Sequence, residues 1–163
     1  MTNGLADGGS AATRQIELRR LAAGRFEATN VRGGRLSLGT GDGGDFTPVE
    51  LLLTAIAGCS AIDVDMLTAR HAEPTEFTVT SRGDKVADDQ GHHMSDLEVT
   101  FTVRFPAGEG GDKARFMTPR AVEASRDRLC TVSRTVALGT PVVMTEATTP
   151  ESCTGGARRP PHA

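Results

Sequence analysis

The sequence predicts a single α+β domain, and three observations carry that expectation. Strand-like segments gather ahead of an apolar helix instead of alternating regularly with helices, which separates the chain from doubly wound α/β folds. A total of 163 residues gives one hydrophobic core and not two. The central helix is apolar on nearly every face, so other elements must cover it on both sides. The domain is expected over 13–149, with a flexible N-terminal segment at 1–12 and a flexible tail at 150–163, where GGARRPPHA offers nothing to pack.

The first three strands are Gln15 to Leu21, Arg25 to Asn30 and Arg35 to Leu38, a small meander turned by glycine-rich connections. GTGDGGDFT is too rich in glycine and aspartate to form an element and reads as a loop leading to Pro48. From Pro48 to about Arg70 the pattern becomes helical. Thr47 suits an N-cap, proline suits the first turn, and Glu50 sits at the positive end of the helix dipole. Leu51, Leu52, Leu53, Ala55, Ile56 and Ala57 leave no wet face, so cover on both sides is expected, with a second chain supplying part of it.

After Pro74, Phe77 and Val79 alternate with threonine, as do Val99, Phe101, Val103 and Phe105 with polar residues. The intervening GDKVADDQGHHMSD reads as the acidic, turn-rich connection of a long hairpin. Thr118 and Pro119 predict the start of a second helix with a stripe at Val122, Ser125, Leu129, Val132 and Val136. Thr131 and Val132 are weak helix formers, so the pattern allows either an unbroken helix or an interruption at Cys130. Gly139 and Pro141 end this helix, and PVVMTEAT reads as a last strand.

Composition narrows the function. A net charge of -3 disfavours nucleic acid and anionic membrane as partners. The N-terminus lacks an apolar run of the secretory kind, so a cytoplasmic location is expected. The apolar stretch Leu51 to Ile62 is shorter than the roughly 20 residues a bilayer requires. Three cysteines without a CxxC pair do not suggest a disulfide scaffold or a zinc knuckle. His92 and His93 are adjacent, lack sequence-local co-ligands and read as part of a solvated loop, and no metal site is expected. Cys153 lies beside the tail and reads as a surface thiol.

Cys59 in AIAGCSAID could be a space-filling core residue. Asp63 at i+4 shares its helix face, and a carboxylate there would raise the thiol pKa. A reactive Cys59 therefore needs a nearby arginine. The helix dipole does not help, because Cys59 lies about 13 Å beyond Glu50 at 1.5 Å per residue. Arg19, Arg20 and Arg35 from the strand region are candidates. Arg134 stands at i+4 from Cys130 if that segment is helical.

TPVELLLTAIAGCSAIDV resembles the central helix of the OsmC/Ohr family, and CTVSRTV resembles the CPVSK-type segment carrying that family's second cysteine. The likeness runs from roughly residue 15 to 148 and includes the order of elements. It implies an OsmC-like fold, with antiparallel sheets around a central buried helix in an intertwined homodimer. It also implies a thiol peroxidase that reduces organic hydroperoxides or hydrogen peroxide through a two-cysteine disulfide cycle. By similarity Cys59 matches the peroxidatic residue and Cys130 the resolving one. The cycle calls for an external dithiol reductant and for no metal or organic cofactor, and Leu52, Ile56, Ile62 and Met66 would wall an alkyl substrate.

The sequence departs from the family pattern at three places. Val49 stands where glutamate usually follows the helix-start proline, with Glu50 displaced by one position and so by about 100° around the helix. Thr131 stands where proline is usual, and GCSAIDV is nearer the OsmC-like branch than the hydroperoxide reductases. These departures, with Asp63, motivate an alternative: a non-peroxidatic OsmC-like dimer whose pocket binds a small apolar or thiol-containing ligand.

Overall fold

The computed structural model describes residues 12–147. Cys153 and the expected flexible tails, apart from Ala12, lie outside the described residues. Three antiparallel strands open the chain: β1 (Ile16–Ala22), β2 (Arg25–Asn30) and β3 (Arg35–Gly39), in the order β1-β2-β3. Their boundaries agree closely with the sequence reading. The loop after β3 returns to the sheet through a bridge between Leu38 and Phe46 and then delivers the chain to α1 (Pro48–Thr68).

The N-terminus of α1 is a capping box. The Glu50 N–H donates to Thr47 Oγ1 at 3.3 Å, and the Thr47 N–H donates to Glu50 Oε2 at 2.7 Å. At 21 residues this helix is long and apolar enough to cross a membrane by length and composition, a longer element than the twelve-residue stretch suggested. It packs instead on a second long helix, on a strand of the hairpin that follows it and on the segment around Cys130, and it carries Asp63 and Asp65 in its second half.

Burial on α1 differs from expectation. Only Ile56, Ser60, Val64 and Thr68, spaced four apart, are buried within the chain. Ile62 and Met66 are 62% and 58% exposed, so the all-round apolar pattern is covered on one face only. The outer surface of β1 is likewise open, with Ile16, Leu18 and Leu21 exposed.

β4 (Glu76–Asp88) and β5 (Gly91–Arg104) form the long hairpin. Its strands run almost to the tip, correcting the turn-rich connection expected between them. Asp89 and Gln90 alone separate the strands; the Asp88 carboxylate accepts N–H groups from Gln90 and Gly91, and Gly91 takes a φ of 132° that favours glycine. His92 and His93 therefore belong to β5, opposite Ala87 and Val86, and not to a loop. Phe77 and Phe101 meet edge to face across the pair.

The second helical region corrects the sequence reading most. α2 (Glu109–Ala124) begins nine residues ahead of Thr118. Glycines at 108, 110 and 111 make its first turn look like loop, yet a Cβ at Gly111 would lie 1.8 Å from the Pro106 carbonyl oxygen, so close approach requires glycine there. Thr118 does not cap; its hydroxyl donates to the Ala114 carbonyl inside the helix, and Pro119 is internal.

A π-helical turn (Ser125–Leu129) follows, and Cys130 adopts an extended conformation before α3 (Thr131–Ala137) starts. Of the two versions the pattern allowed, the interrupted one is correct. The wider π turn also shifts the phase of the expected stripe, burying Ser125 and leaving Leu129 and Val136 exposed. Residues 141–147 form no strand, which corrects the expected last element, and Val142, Val143 and Met144 stand exposed.

Candidate functional site: a paired-thiol centre

Two elements bring distant residues together. α1 places Ser60 in the core, with Cys59 half-buried beside it and Asp63 one turn further on. The break between α2 and α3 places Ser125 and Cys130 against that face, both fully buried. Ser125 Oγ donates to Asp63 Oδ2 at 2.8 Å, tying the break to the helix across 62 residues.

Cys130 is the N-cap of α3. The Ser133 N–H donates to its Sγ at 3.3 Å, and Ser133 Oγ lies 3.1 Å from the same sulfur. The Cys130 N–H donates to the Ser125 carbonyl, and its own carbonyl accepts the Arg134 N–H. A cysteine thus takes the role usually filled by serine or aspartate at a helix start. Ligand atoms of Cys59, Asp63 and Cys130 all lie within 4.8 Å of one another. Both cysteines are free thiols, and their sulfurs are close without being bonded.

The two thiols are electrostatically unequal. Burial pushes the Cys59 pKa up; the Cys130 sulfur raises it further, while backbone N–H groups of Val132 and Thr131 partly offset the rise. Burial also opposes ionisation of Cys130, but the Ser133 hydroxyl, the Ser60 hydroxyl, the Ser133 N–H and the Cys59 thiol outweigh it, and its pKa falls below the ordinary thiol value. Cys130 is therefore the more acidic sulfur of the pair. The rise at Cys59 comes from burial and Cys130, not chiefly from Asp63, whose carboxylate takes the Ser125 hydroxyl.

The remaining sequence candidates lie elsewhere in the chain. Glu50 completes the capping box of α1, and its pKa is lowered by hydrogen bonds from Thr47. Arg19 and Arg35 both pair with Glu27 Oε1, at 3.4 and 3.0 Å, on the three-stranded sheet. Arg20, on the neighbouring β1 position, stands opposite Phe26. Arg134 points Nη1 toward the Asp127 carbonyl at 3.4 Å. Among the described residues none of these arginines hydrogen-bonds to either sulfur.

Three serines were missed: Ser60, Ser125 and Ser133. Ser133 had a signal, because it stands three residues after Cys130, the spacing at which an N-cap side chain meets a backbone N–H. Ser60 and Ser125 carried no local signal, since their importance arises from a tertiary contact.

Two cavities lie against α1, one of which reaches the centre. One of about 550 Å³ lies between α1 and β4 and is lined by residues including Glu50, Leu53, Gly58, Phe77 and Val79. The other, about 400 Å³, is lined by Ile56, Val99, Phe101 and Val136 and by Ser60, Ser125 and Ser133, the three hydroxyls around the thiol pair. Of the expected alkyl wall only Ile56 lines either cavity; Ile62 and Met66 face outward in the chain.

An α+β chain with a central helix and two juxtaposed thiols defines an OsmC-type architecture. The chain belongs to the OsmC-like protein family, whose profile matches residues 41–145. An uncharacterised protein of Mycobacterium tuberculosis (strain H37Rv) is 30% identical over 131 residues, covering 78% of this chain and 92% of the relative. A hypothetical protein from Aquifex aeolicus shares the fold at a TM-score of 0.64 and 21% identity, over 80% of this chain and 91% of that one. An OsmC-like protein from Mycoplasma pneumoniae does so at 0.61 and 13% identity, over 78% and 89%.

The unequal thiols predict the titration of the metal-free, reduced protein. In the Cys153→Ser chain, which leaves only this pair of thiols, thiolate absorbance in the far ultraviolet should rise in two steps, one below and one above the ordinary thiol range. Ser133→Ala should move the lower step upward, because it removes a hydrogen bond that favours the charged form of Cys130. A single step in the ordinary range, unaffected by Ser133→Ala, would contradict the inequality.

Proposed function

We propose that this chain is a cytoplasmic, homodimeric thiol peroxidase that reduces organic hydroperoxides or hydrogen peroxide, with Cys59 as the attacking sulfur and Cys130 as its partner. The observation that carries the reading is the approach of two free sulfurs, 71 positions apart in the chain, to within 4.8 Å. Cys59 is the half-buried member of the pair, and Cys130 has no exposed surface, so peroxide meets Cys59 first.

Ionisation of Cys59 then needs a base. The Cys130 thiolate stands beside Cys59 and can take its proton within the pair, a transfer that is uphill because Cys130 is the more acidic sulfur and that attack on the peroxide draws forward. The Cys59 thiolate attacks one peroxide oxygen, the O–O bond breaks, and Cys59 becomes a sulfenic acid. The departing alkoxide, or hydroxide, takes the proton held on Cys130. Cys130, again a thiolate, attacks the sulfenic sulfur, a disulfide forms and hydroxide leaves. A dithiol reductant reopens the bond by exchange. The peroxide gains the two electrons that the sulfurs lose.

A dimer is favoured by the uncovered apolar faces of α1 and β1 and by the exposed residues Val142, Val143 and Met144. Sedimentation of the full chain should give twice the 17.1 kDa chain mass. A monomer at micromolar concentration would contradict it.

The two cavities along α1 support a second reading, a non-peroxidatic dimer that binds a small apolar or thiol-containing ligand. Peroxide distinguishes the two. On the first reading, cumene hydroperoxide or hydrogen peroxide consumes both thiols, mass spectrometry finds a Cys59–Cys130 disulfide, Cys59→Ser reduces turnover at least about 100-fold, and Cys130→Ser forms the Cys59 sulfenic acid more slowly and halts there, open to overoxidation. Persistence of both free thiols, or full turnover by Cys59→Ser, would sink the peroxidase reading.

A further inference from the structure

We propose that Cys59, Cys130 and Asp63, when both cysteines are reduced, bind one thiophilic divalent cation of the zinc class. Their ligand atoms already lie within 4.8 Å of one another. A tetrahedral ion with bonds of about 2.3 Å to sulfur and about 2.0–2.2 Å to oxygen sets neighbouring ligands roughly 3.5–3.8 Å apart. The cluster reaches that geometry by contracting about 1 Å, within the reach of side-chain torsions.

The supports of the three ligands suit the task. Cys59 and Asp63 are one helical turn apart on α1, the i,i+4 spacing that lets one helix present two ligands to a single ion. Cys130 comes from the break that faces them, so the ion would bridge two elements. The Ser125 hydroxyl holds Asp63 Oδ2 at 2.8 Å and orients the carboxylate, whose two oxygens have lone pairs enough to accept this bond and still ligate an ion. Among the described residues no lysine, arginine or histidine forms an ion pair with Asp63. A divalent cation would therefore meet no competing protein cation on this carboxylate.

The donor set selects the class of ion. Two sulfurs and one oxygen favour Zn²⁺, Co²⁺ or Cd²⁺ over Mg²⁺ and Ca²⁺, which require oxygen ligands. Three protein ligands leave a fourth position for water or for the Ser133 hydroxyl, 3.1 Å from Cys130 Sγ. Metal and disulfide would compete for the same sulfurs. Binding itself does not depend on the peroxidase reading.

The test is anaerobic titration of the full-length, reduced, metal-free Cys153→Ser chain with Co²⁺. We expect saturation at one ion per chain, with sulfur-to-cobalt charge transfer in the near ultraviolet and the intense visible bands of tetrahedral coordination, both lost when Zn²⁺ is added. Ser125→Ala should weaken binding by about 10–100-fold through the loss of ligand orientation. Asp63→Asn should weaken it at least as much. Circular dichroism of each variant reports its folding independently. Weak octahedral bands, or tetrahedral bands unchanged in Cys59→Ser or Cys130→Ser, would overturn the site. Absence of peroxide turnover by the reduced, metal-free chain, with the cobalt spectrum intact on titration, would count against the peroxidase reading and leave this one standing.

Discussion

The contact between the middle of α1 and the helix break at Cys130 organises the whole centre. An uninterrupted helix would carry the residue after Leu129 around its own axis. The π turn and the extended Cys130 instead stop one helix and begin another at the point where α1 passes. Ser125 secures the junction through Asp63, and burial of Ser60, Val64, Ser125 and Cys130 closes it. Each buried polar atom there has a partner: among the described residues no buried side-chain nitrogen or oxygen lacks a hydrogen bond.

That arrangement changes the chemistry expected of a lone cysteine on a long helix. Burial alone would make both sulfurs poor nucleophiles. The N–H and hydroxyl of Ser133, with Ser60 and Cys59 nearby, favour the charged form of Cys130 instead, so the two sulfurs differ in acidity. The helix start that lowers Cys130 is local, and α3 needs only seven residues to provide it. No distant arginine is needed to make one sulfur of the pair more acidic than the other.

Much of the fold was legible because strands and α1 follow local rules. Alternation at Phe77, Val79, Val99 and Phe101 and the Thr47–Glu50 cap speak directly from the chain. The start of α2 was hidden because Gly108, Gly110 and Gly111 mimic a loop, while Gly111 is required by contact with the Pro106 carbonyl. Thr118 and Pro119 imitate a helix start inside a helix. Residues 141–147 have strand composition but no strand to pair with in the single chain, since β propensity acts only when a neighbour is present. In the centre, Cys59, Cys130 and Asp63 were readable, whereas Ser60 and Ser125 were not, because their role depends on two segments meeting. Arg19 and Arg35 had abundance in their favour, but Glu27 holds both.

The most direct measurement of the thiol junction in solution is equilibration of the reduced chain in glutathione redox buffers, followed by peptide mapping of every sulfur. Sulfurs held this close should form an intramolecular Cys59–Cys130 bond at millimolar or higher effective concentration, displacing glutathione from either residue. Accumulation of Cys59 joined to glutathione, with Cys130 still reduced across the whole range of buffers, would contradict the account.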